Sequence, residues 1–338
     1  MKRITIRDIA RQAGVVPSTV SFVLNGKAKQ MRISDKVAER IRKLAEDTGY
    51  TPHHTAVSLR TGKSHILGLI VEDISNVFFA ALARTIEEEA YASGYKIVYC
   101  SSENDDDRGR ELIRMLANQQ VDGYLITPTP GMEKDVEKLT SAGKPVVLMD
   151  RYFSGTAFPC ILVDNYDGVK KGMEHLIEKG YRNIGFITID LDQVQMKERL
   201  RGYRDALKDH GLTYGDKLLL TLNYNRKEAA AVKTITSYIK KHPQLDALFF
   251  ATNYLGIYGL ESLKALKRRI PEDIAMICFD DHDIFRLYTP SITIIQQPIA
   301  EIGRNAVQML LKQMEKQPSA LKELQQFKKA RLIEREST

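Results

Sequence analysis

Two kinds of fold are predicted along this chain: an N-terminal all-α unit, and behind it an α/β core made of two doubly wound lobes of parallel sheet. Three observations carry the expectation. The surplus of positive charge is confined to the first sixty-three residues, apolar residues there recur at helical spacing in three short runs, and from residue 64 onward β-branched apolar runs alternate with amphipathic stretches.

The chain of 338 residues is longer than one compact core usually organises, and its 43% hydrophobic and 28% charged content is that of a folding globular protein. No run of eighteen apolar residues occurs, and the opening MKRITIRDIARQ has no apolar signal core, so a cytoplasmic protein is expected. Cys100, Cys160 and Cys278 lie far apart without metal-ligand spacing and read as reduced, structural thiols. The seven histidines show no ligand spacing either, so no metal or cofactor is expected. Residues 1–63 hold thirteen Lys and Arg against five Asp and Glu, a surplus of eight; the whole chain carries +7, so the remainder is close to neutral at −1. Cations packed this densely attract a phosphate backbone.

Thr5 and Asp8 have the spacing of a capping box, and Ile6, Ile9, Ala10 and Ala13 form one apolar face that Gly14 ends. Pro17 suits the first turn of a second helix over Ser18 to Leu24, buried through Val20, Val23 and Leu24 and stopped by Asn25-Gly26. Ser34 can cap a third helix with Val37, Ala38, Ile41, Leu44 and Ala45 inward, ended by Gly49. Apolar spacing alone fits any three-helix bundle. The charge favours a helix-turn-helix whose second helix lies in a DNA major groove.

The strings TIRDIARQAGVVPSTVSFVLNG, YTPHHTAVSLRTGKSHILGLIV and DISNVFFA, continued by PEDIAMICFDD and IIQQP, resemble the lactose/galactose repressor (LacI/GalR) family along essentially the whole chain. The resemblance implies a periplasmic-binding-protein-like core behind the helical unit. It also implies that Pro17, Ser18 and Phe22 read base edges while Thr5, Thr19, Ser21 and Asn25 position the DNA backbone. Two departures stand out: Val16 where the family commonly has a capping Ser, and Phe22 where many members carry a polar reader. Phe22 offers guanine no hydrogen bond, so the operator sequence does not follow from other members. Lys27 to Ser34 adds cations suited to tracking phosphates. His53 to Arg60 is too short for a stable isolated helix; the resemblance makes it a hinge helix that folds on DNA, with Leu59 wedged between base pairs and Arg60 beside it. The domains are therefore expected at 1–52, with a hinge over 53–63 and a core over 64–338. Within the core, lobe 1 takes about 64–163 plus 293–322, and lobe 2 about 164–292 plus 323–338.

Strand candidates in the core are Ile66 to Val71, Ile97 to Cys100, Val121 to Thr127, Val146 to Met149, Ile184 to Ile189, Leu218 to Leu222, Ala247 to Ala251 and Ile274 to Phe279. EAYASGYKIV and HLIEKGYRNI repeat one helix-glycine-aromatic-strand junction, a hint of two similar lobes. Open α/β sheets bind ligands beyond the carboxyl ends of their strands. The residues there are Asn76, Phe78 and Phe79; Asp150 and Arg151; Tyr224; Asn253; Asp280 and Asp281; joined by Arg199 in RLRGY and Gln297 in IIQQP. Carboxylates, amides and arginine suit an array of hydroxyls, and aromatic faces suit the apolar side of a sugar or base. The family resemblance places Asp150, Arg199, Asn253, Asp280 and Gln297 at ligand-contacting positions and Phe78, Phe79 and Tyr224 at stacking ones. Asn76, Asp281 and Gln297 can equally be strand-end caps.

No phosphate-binding glycine loop, nucleophile elbow or HExxH is present, which disfavours an enzyme. A secreted solute receptor would share the core but carry an export signal in place of the basic unit. The expectation is a DNA-binding regulator, a repressor, whose operator affinity follows a small-molecule effector. Carbohydrate leads as the effector class, ahead of a phosphorylated sugar or a nucleobase. A twofold operator requires a homodimer, and ARLIERES reads as a closing strand, with no leucine heptad for a tetramer.

Overall fold

A computed structural model describes residues 4–50, 63–212, 215–224, 227–315 and 324–338. The chain separates into two compact units, Met1–Ser64 and His65–Thr338. The hinge expected over 53–63, with Leu59 and Arg60, lies outside the described residues except for its last position.

Among its described residues the small unit has three helices, α1 (Ile6–Ala13), α2 (Pro17–Leu24) and α3 (Asp35–Asp47). Asp8 N donates to Thr5 Oγ1 at 3.4 Å and Thr5 N to Asp8 Oδ2 at 3.0 Å, so the expected capping box satisfies two orphan donors at the start of α1. Gly14, at φ +65°, turns the chain out of α1 in a left-handed conformation that a side chain would resist. Pro17 opens α2, while Val16 before it makes no side-chain cap and leaves its apolar side chain 62% exposed. Ser34 does occupy the N-cap of α3, but its hydroxyl makes no capping hydrogen bond, contrary to the sequence expectation. Ile9, Ala10, Ala13, Val20, Val23, Ala38 and Ile41 close the core between the helices. Truncating fully buried Ile9 or Ile41 to Ala would cost about 2–5 kcal/mol, most of what so small a core supplies.

The large unit holds two six-stranded sheets. The first joins β1 (Ile66–Val71), β2 (Lys96–Ser101), β3 (Gly123–Ile126), β4 (Val146–Met149), β5 (Cys160–Val163) and β11 (Gln325–Lys328) in the order β11-β5-β4-β3-β1-β2, all parallel. The second joins β6 (Ile184–Asp190), β7 (Leu219–Asn223), β8 (Ala247–Phe250), β9 (Ala275–Phe279), β10 (Thr293–Gln296) and β12 (Arg331–Ile333) in the order β12-β10-β9-β8-β6-β7. Here only the β10–β12 pair is antiparallel, with Ile294 opposite Ile333. The two orders match strand for strand, which bears out the repeat hinted at by the two glycine junctions. Central strands such as β4, β8 and β9 are buried at every residue, as sheets covered on both faces require.

Helices α4 (Val77–Ala92), α5 (Asp106–Asn118) and α6 (Glu133–Ser141) belong to the first lobe, as does α12 (Ile299–Met314). Helices α7 (Asn165–Glu178), α8 (Val194–Asp209), α9 (Glu228–Lys241), α10 (Asn253–Ala265) and α11 (Asp283–Leu287) belong to the second. The chain crosses between lobes three times, after Val163, after Gln296 and after Lys328. This corrects both late boundaries. Residues 293–296, expected in lobe 1, hydrogen-bond in register with β9 (Thr293 with Ile277) and so belong to lobe 2. Residues 325–328, expected in lobe 2, pair with β5 (Phe327 with Leu162) and close the edge of lobe 1. A four-residue run is short enough to fit either edge, and its own pattern does not say which.

Candidate functional site

Both sheets point the carboxyl ends of their strands at a common cleft. Along it runs a cavity whose wall includes Asp150, Arg199, Asn253, Asp280, Gln297 and Phe78. Asp150 follows β4 and Asp280 follows β9, the same place in the two matching sheets, and both sit in the left-handed region, at φ +64° and +72°. Such backbone costs on the order of 1 kcal/mol or more and persists where the surroundings demand it.

Arg199 is 3% exposed. Its Nε donates to Asn165 Oδ1 at 2.8 Å and its Nη1 to the Ala251 carbonyl at 2.6 Å, its guanidinium lies 3.6 Å from the Phe279 ring centroid, and Asp280 Oδ2 is 3.7 Å from Nη1. Gln297 Nε2 donates to Asp280 Oδ1 at 2.6 Å. Arg199 and Asp280 are therefore fixed from several sides before any ligand arrives. Burial pushes the Asp280 carboxyl up, against the pull of Arg199 and of the Gln297 hydrogen bond. Burial likewise pushes Asp150 up to about 7, with Arg199 pulling down and Asp280 pushing up.

Asp150 is tied to its neighbour: Arg151 Nε donates to its Oδ2 at 3.2 Å. Arg151, 4% exposed, also pairs with Glu72 and donates from Nη1 to Asn104 Oδ1 at 2.6 Å. Three hydrogen bonds then cross from lobe to lobe: Tyr224 Oη to Glu72 Oε1 at 2.9 Å, Gln193 Nε2 to Asn104 Oδ1 at 2.9 Å, and Asn253 Nδ2 to Asn76 Oδ1 at 3.3 Å. With the lobes held this way the cavity is about 40 Å³, room for only a few waters at about 10–15 Å³ each. Gln195 Oε1 and Gln297 Oε1, both buried, have no hydrogen-bond partner among the described residues. Unmatched acceptors of this kind call for a donor from a ligand or water.

Not every expected site residue stands on this wall in the expected way. Asn76 does cap α4, accepting from Phe78 N at 3.0 Å, and only its remaining capacity faces the other lobe. Phe78 and Phe79 are 7% and 4% exposed and meet edge to face, 5.0 Å between centroids. Tyr224 stands behind Glu72 with its hydroxyl committed to it; that contact holds the lobes together and differs from the stacking position expected. Asp281 turns away to pair with Arg335 at 2.9 Å. Glu72, Gln193, Gln195, Thr252 and Tyr254 line the cavity and were missed. Glu72 directly follows β1, Gln193 and Gln195 follow β6, and Thr252 follows β8, so applying the strand-end rule to every strand would have found them.

In the small unit, Thr5, Pro17, Ser18 and Asn25 are exposed and Thr19, Ser21 and Phe22 half-buried. Asn25 Nδ2 donates to the Ser21 carbonyl at 2.5 Å, securing the end of α2. Residues 5–53 match the family described as bacterial regulatory proteins, lacI family, and residues 173–338 match the periplasmic binding protein-like domain. The HTH-type transcriptional repressor PurR of Aliivibrio fischeri (strain MJ11) is 30% identical over 312 residues, 92% of this chain and 91% of that protein. The chain belongs to the LacI family of bacterial transcriptional regulators. Another LacI-family relative, the ribose operon repressor of Halalkalibacterium halodurans, is 29% identical over 314 residues, 93% of this chain and 91% of that protein. A solved structure described as a complex of the transcriptional regulator CelR with cellobiose is 26% identical with a TM-score of 0.71, covering 99% of this chain and 100% of that one. This LacI-family chain thus joins a helix-turn-helix unit to a two-lobed α/β core, and its cleft holds a clamped arginine, two strained aspartates and unmatched amide oxygens. No helix among the described residues is long and apolar enough to cross a membrane.

Proposed function

We propose that this chain is a homodimeric, cytoplasmic repressor of transcription whose hold on operator DNA is set by a carbohydrate effector bound between the lobes of its core, without cofactor or catalysis. The observation that carries the effector reading is the opposed pair Asp150 and Asp280 about the buried guanidinium of Arg199. Carboxylates accept from hydroxyls, Arg199 donates to ring or hydroxyl oxygens, and Asn253, Gln297 and Asn76 complete the polar array. Phe78 and Phe79 supply the apolar wall that a sugar face covers.

A phosphorylated effector is disfavoured by the same wall. Its cations Arg199 and Arg151 already face three carboxylates, Asp150, Asp280 and Glu72, so a phosphate would enter with no positive charge to spare. A bound sugar would have to part the lobes first, since about 40 Å³ admits none. Parting them changes the spacing of the two hinge segments in a dimer. That motion gives the effector different affinities for two states, the condition for coupling it to DNA.

On DNA, Pro17, Ser18 and Phe22 face the bases, Thr5, Thr19, Ser21 and Asn25 the phosphates, and Leu59 with Arg60 the minor groove. Exposed Ile74, Val77, Ile284 and Leu287 offer apolar surface to the second subunit. The test is a thermal-shift screen of sugars, sugar phosphates and purines against the full chain, each hit then added to an operator-binding assay. A sugar that raises the melting temperature and alters operator affinity supports the reading. A purine or sugar phosphate as the sole ligand overturns the carbohydrate assignment.

A further inference from the structure

Beside the central cavity, at the same carboxyl-end rim, lies a second and larger one of about 270 Å³. Its walls come from the segments following β3, β4 and β6: Pro128 and Pro130, Tyr152 and Phe153, and Val194 with Lys197 at the start of α8. Both lobes contribute to it, as they do to the central cavity.

A pair of long side chains borders both cavities. Arg151 of lobe 1 and Gln193 of lobe 2 line both, and each donates to the same atom, Asn104 Oδ1, at 2.6 and 2.9 Å. The two side chains meet there in two hydrogen bonds to a shared acceptor, and Arg151 is held also by Glu72 and Asp150. The central cavity alone is far below the 300–1,000 Å³ typical of ligand pockets, and the two joined reach the lower end of that range.

Like the inner cavity, the outer one sets aromatic side chains beside charged ones: Tyr152, Phe153 and two prolines beside Glu133, Asp192 and Lys197. Lys197 pairs with Asp192 and Arg151 with Glu72, so no cation is left over for a phosphate. We propose that the outer cavity is a second sugar subsite and that the effector is a glycoside of at least two units. One unit sits between Asp150, Asp280 and Arg199, the glycosidic linkage passes between Arg151 and Gln193, and the next unit lies against Tyr152. The inference rests on the carbohydrate reading of the central cavity and adds the length of the ligand to it.

The test is calorimetric titration of the full chain with D-glucose against cellobiose and maltose, and with D-galactose against lactose. The expected result is a disaccharide that binds at least about tenfold tighter than its own monosaccharides, the gain one aromatic wall supplies. Tyr152→Ala should erase that preference while leaving monosaccharide affinity within about twofold, and Lys197→Ala, at the solvent rim and without risk to the core, should reduce it in part. Equal binding of a monosaccharide and every disaccharide, abolished by Arg199→Ala but untouched by Tyr152→Ala, overturns the second subsite and leaves the central one standing. Failure of every sugar to bind overturns both.

Discussion

Asp150 and Asp280 occupy equivalent places in the two lobes, each following the third strand from the outer edge of a matching sheet, yet they are held differently. Asp280 is gripped by groups that stay put, Gln297 at 2.6 Å and Arg199 at 3.7 Å, the latter anchored on a backbone carbonyl, an asparagine and the Phe279 ring. Asp150 is gripped by Arg151, which is also bonded to Glu72 and Asn104, and those two receive the hydrogen bonds from Tyr224 and Gln193 of lobe 2. One lobe thus holds its aspartate within its own fold, and the other connects its aspartate to the bonds that cross the cleft. A ligand that draws Asp150 away from Arg151 loosens the closure itself. On the proposed function, recognition and release would be divided between two copies of one fold.

The sharpest way to break this division is Arg199→Ala. Leaving Asp280 buried without its cation should cost about 3–5 kcal/mol of stability, and effector affinity should fall at least about a hundredfold in titration calorimetry, since two hydrogen-bonding charges are affected at once. An effector response close to normal would show that lobe 2 is not the docking point. Next in size is the effect of pH. The Asp150 carboxyl, raised from 3.8 to about 7, is held protonated more tightly in the folded chain. Its contribution to stability is therefore present below the unfolded value and declines as pH rises from about 4 through 7. Effector affinity should move the other way, rising about tenfold between pH 6 and 8 as a carboxylate becomes available to accept hydroxyls, and Asp150→Asn should flatten both profiles. A slope that survives Asp150→Asn places the titration elsewhere.

Tyr224→Phe probes the closure alone. Removing one cross-lobe hydrogen bond should lower core stability by about 1 kcal/mol and expand the ligand-free protein in solution scattering, while docking at Arg199 is spared. An unchanged scattering profile would mean that the Glu72 contact does not hold the lobes. The smallest effect expected is the control outside the core: Thr5→Ala removes the capping box of α1 and should cost the DNA-binding unit about 1 kcal/mol. Thermal unfolding should show that loss with the transition of the ligand-binding core unmoved.

Much of this was legible in the residues. The capping box, Gly14, Pro17 and the spacing of Val20 and Val23 fixed the small helices, because local signals there act over three or four residues. The β-branched runs located most central strands, and the strand-end rule gathered Asp150, Asn253 and Asp280 before any coordinates. What stayed hidden depends on contacts distant in sequence. Glu72 reads as one more acid until Arg151, 79 residues away, and Tyr224, 152 residues away, are brought onto it. Tyr224 looks like a stacking aromatic until its hydroxyl is seen to be occupied. β10 and β11 are short runs whose sheets are chosen by register with Ile277 and Leu162, and nothing in four residues encodes that choice.

The claim everything else serves is that occupancy of the cleft alters the grip on DNA. Fluorescence anisotropy of the full chain on duplexes from upstream of its own coding region, across a salt series and with and without a saturating sugar hit, measures it directly. Salt-sensitive binding that shifts by about 5–150-fold with the sugar in the native chain, and by nothing in Arg199→Ala, is the expected result. Identical operator affinity with the cleft empty and full would contradict it.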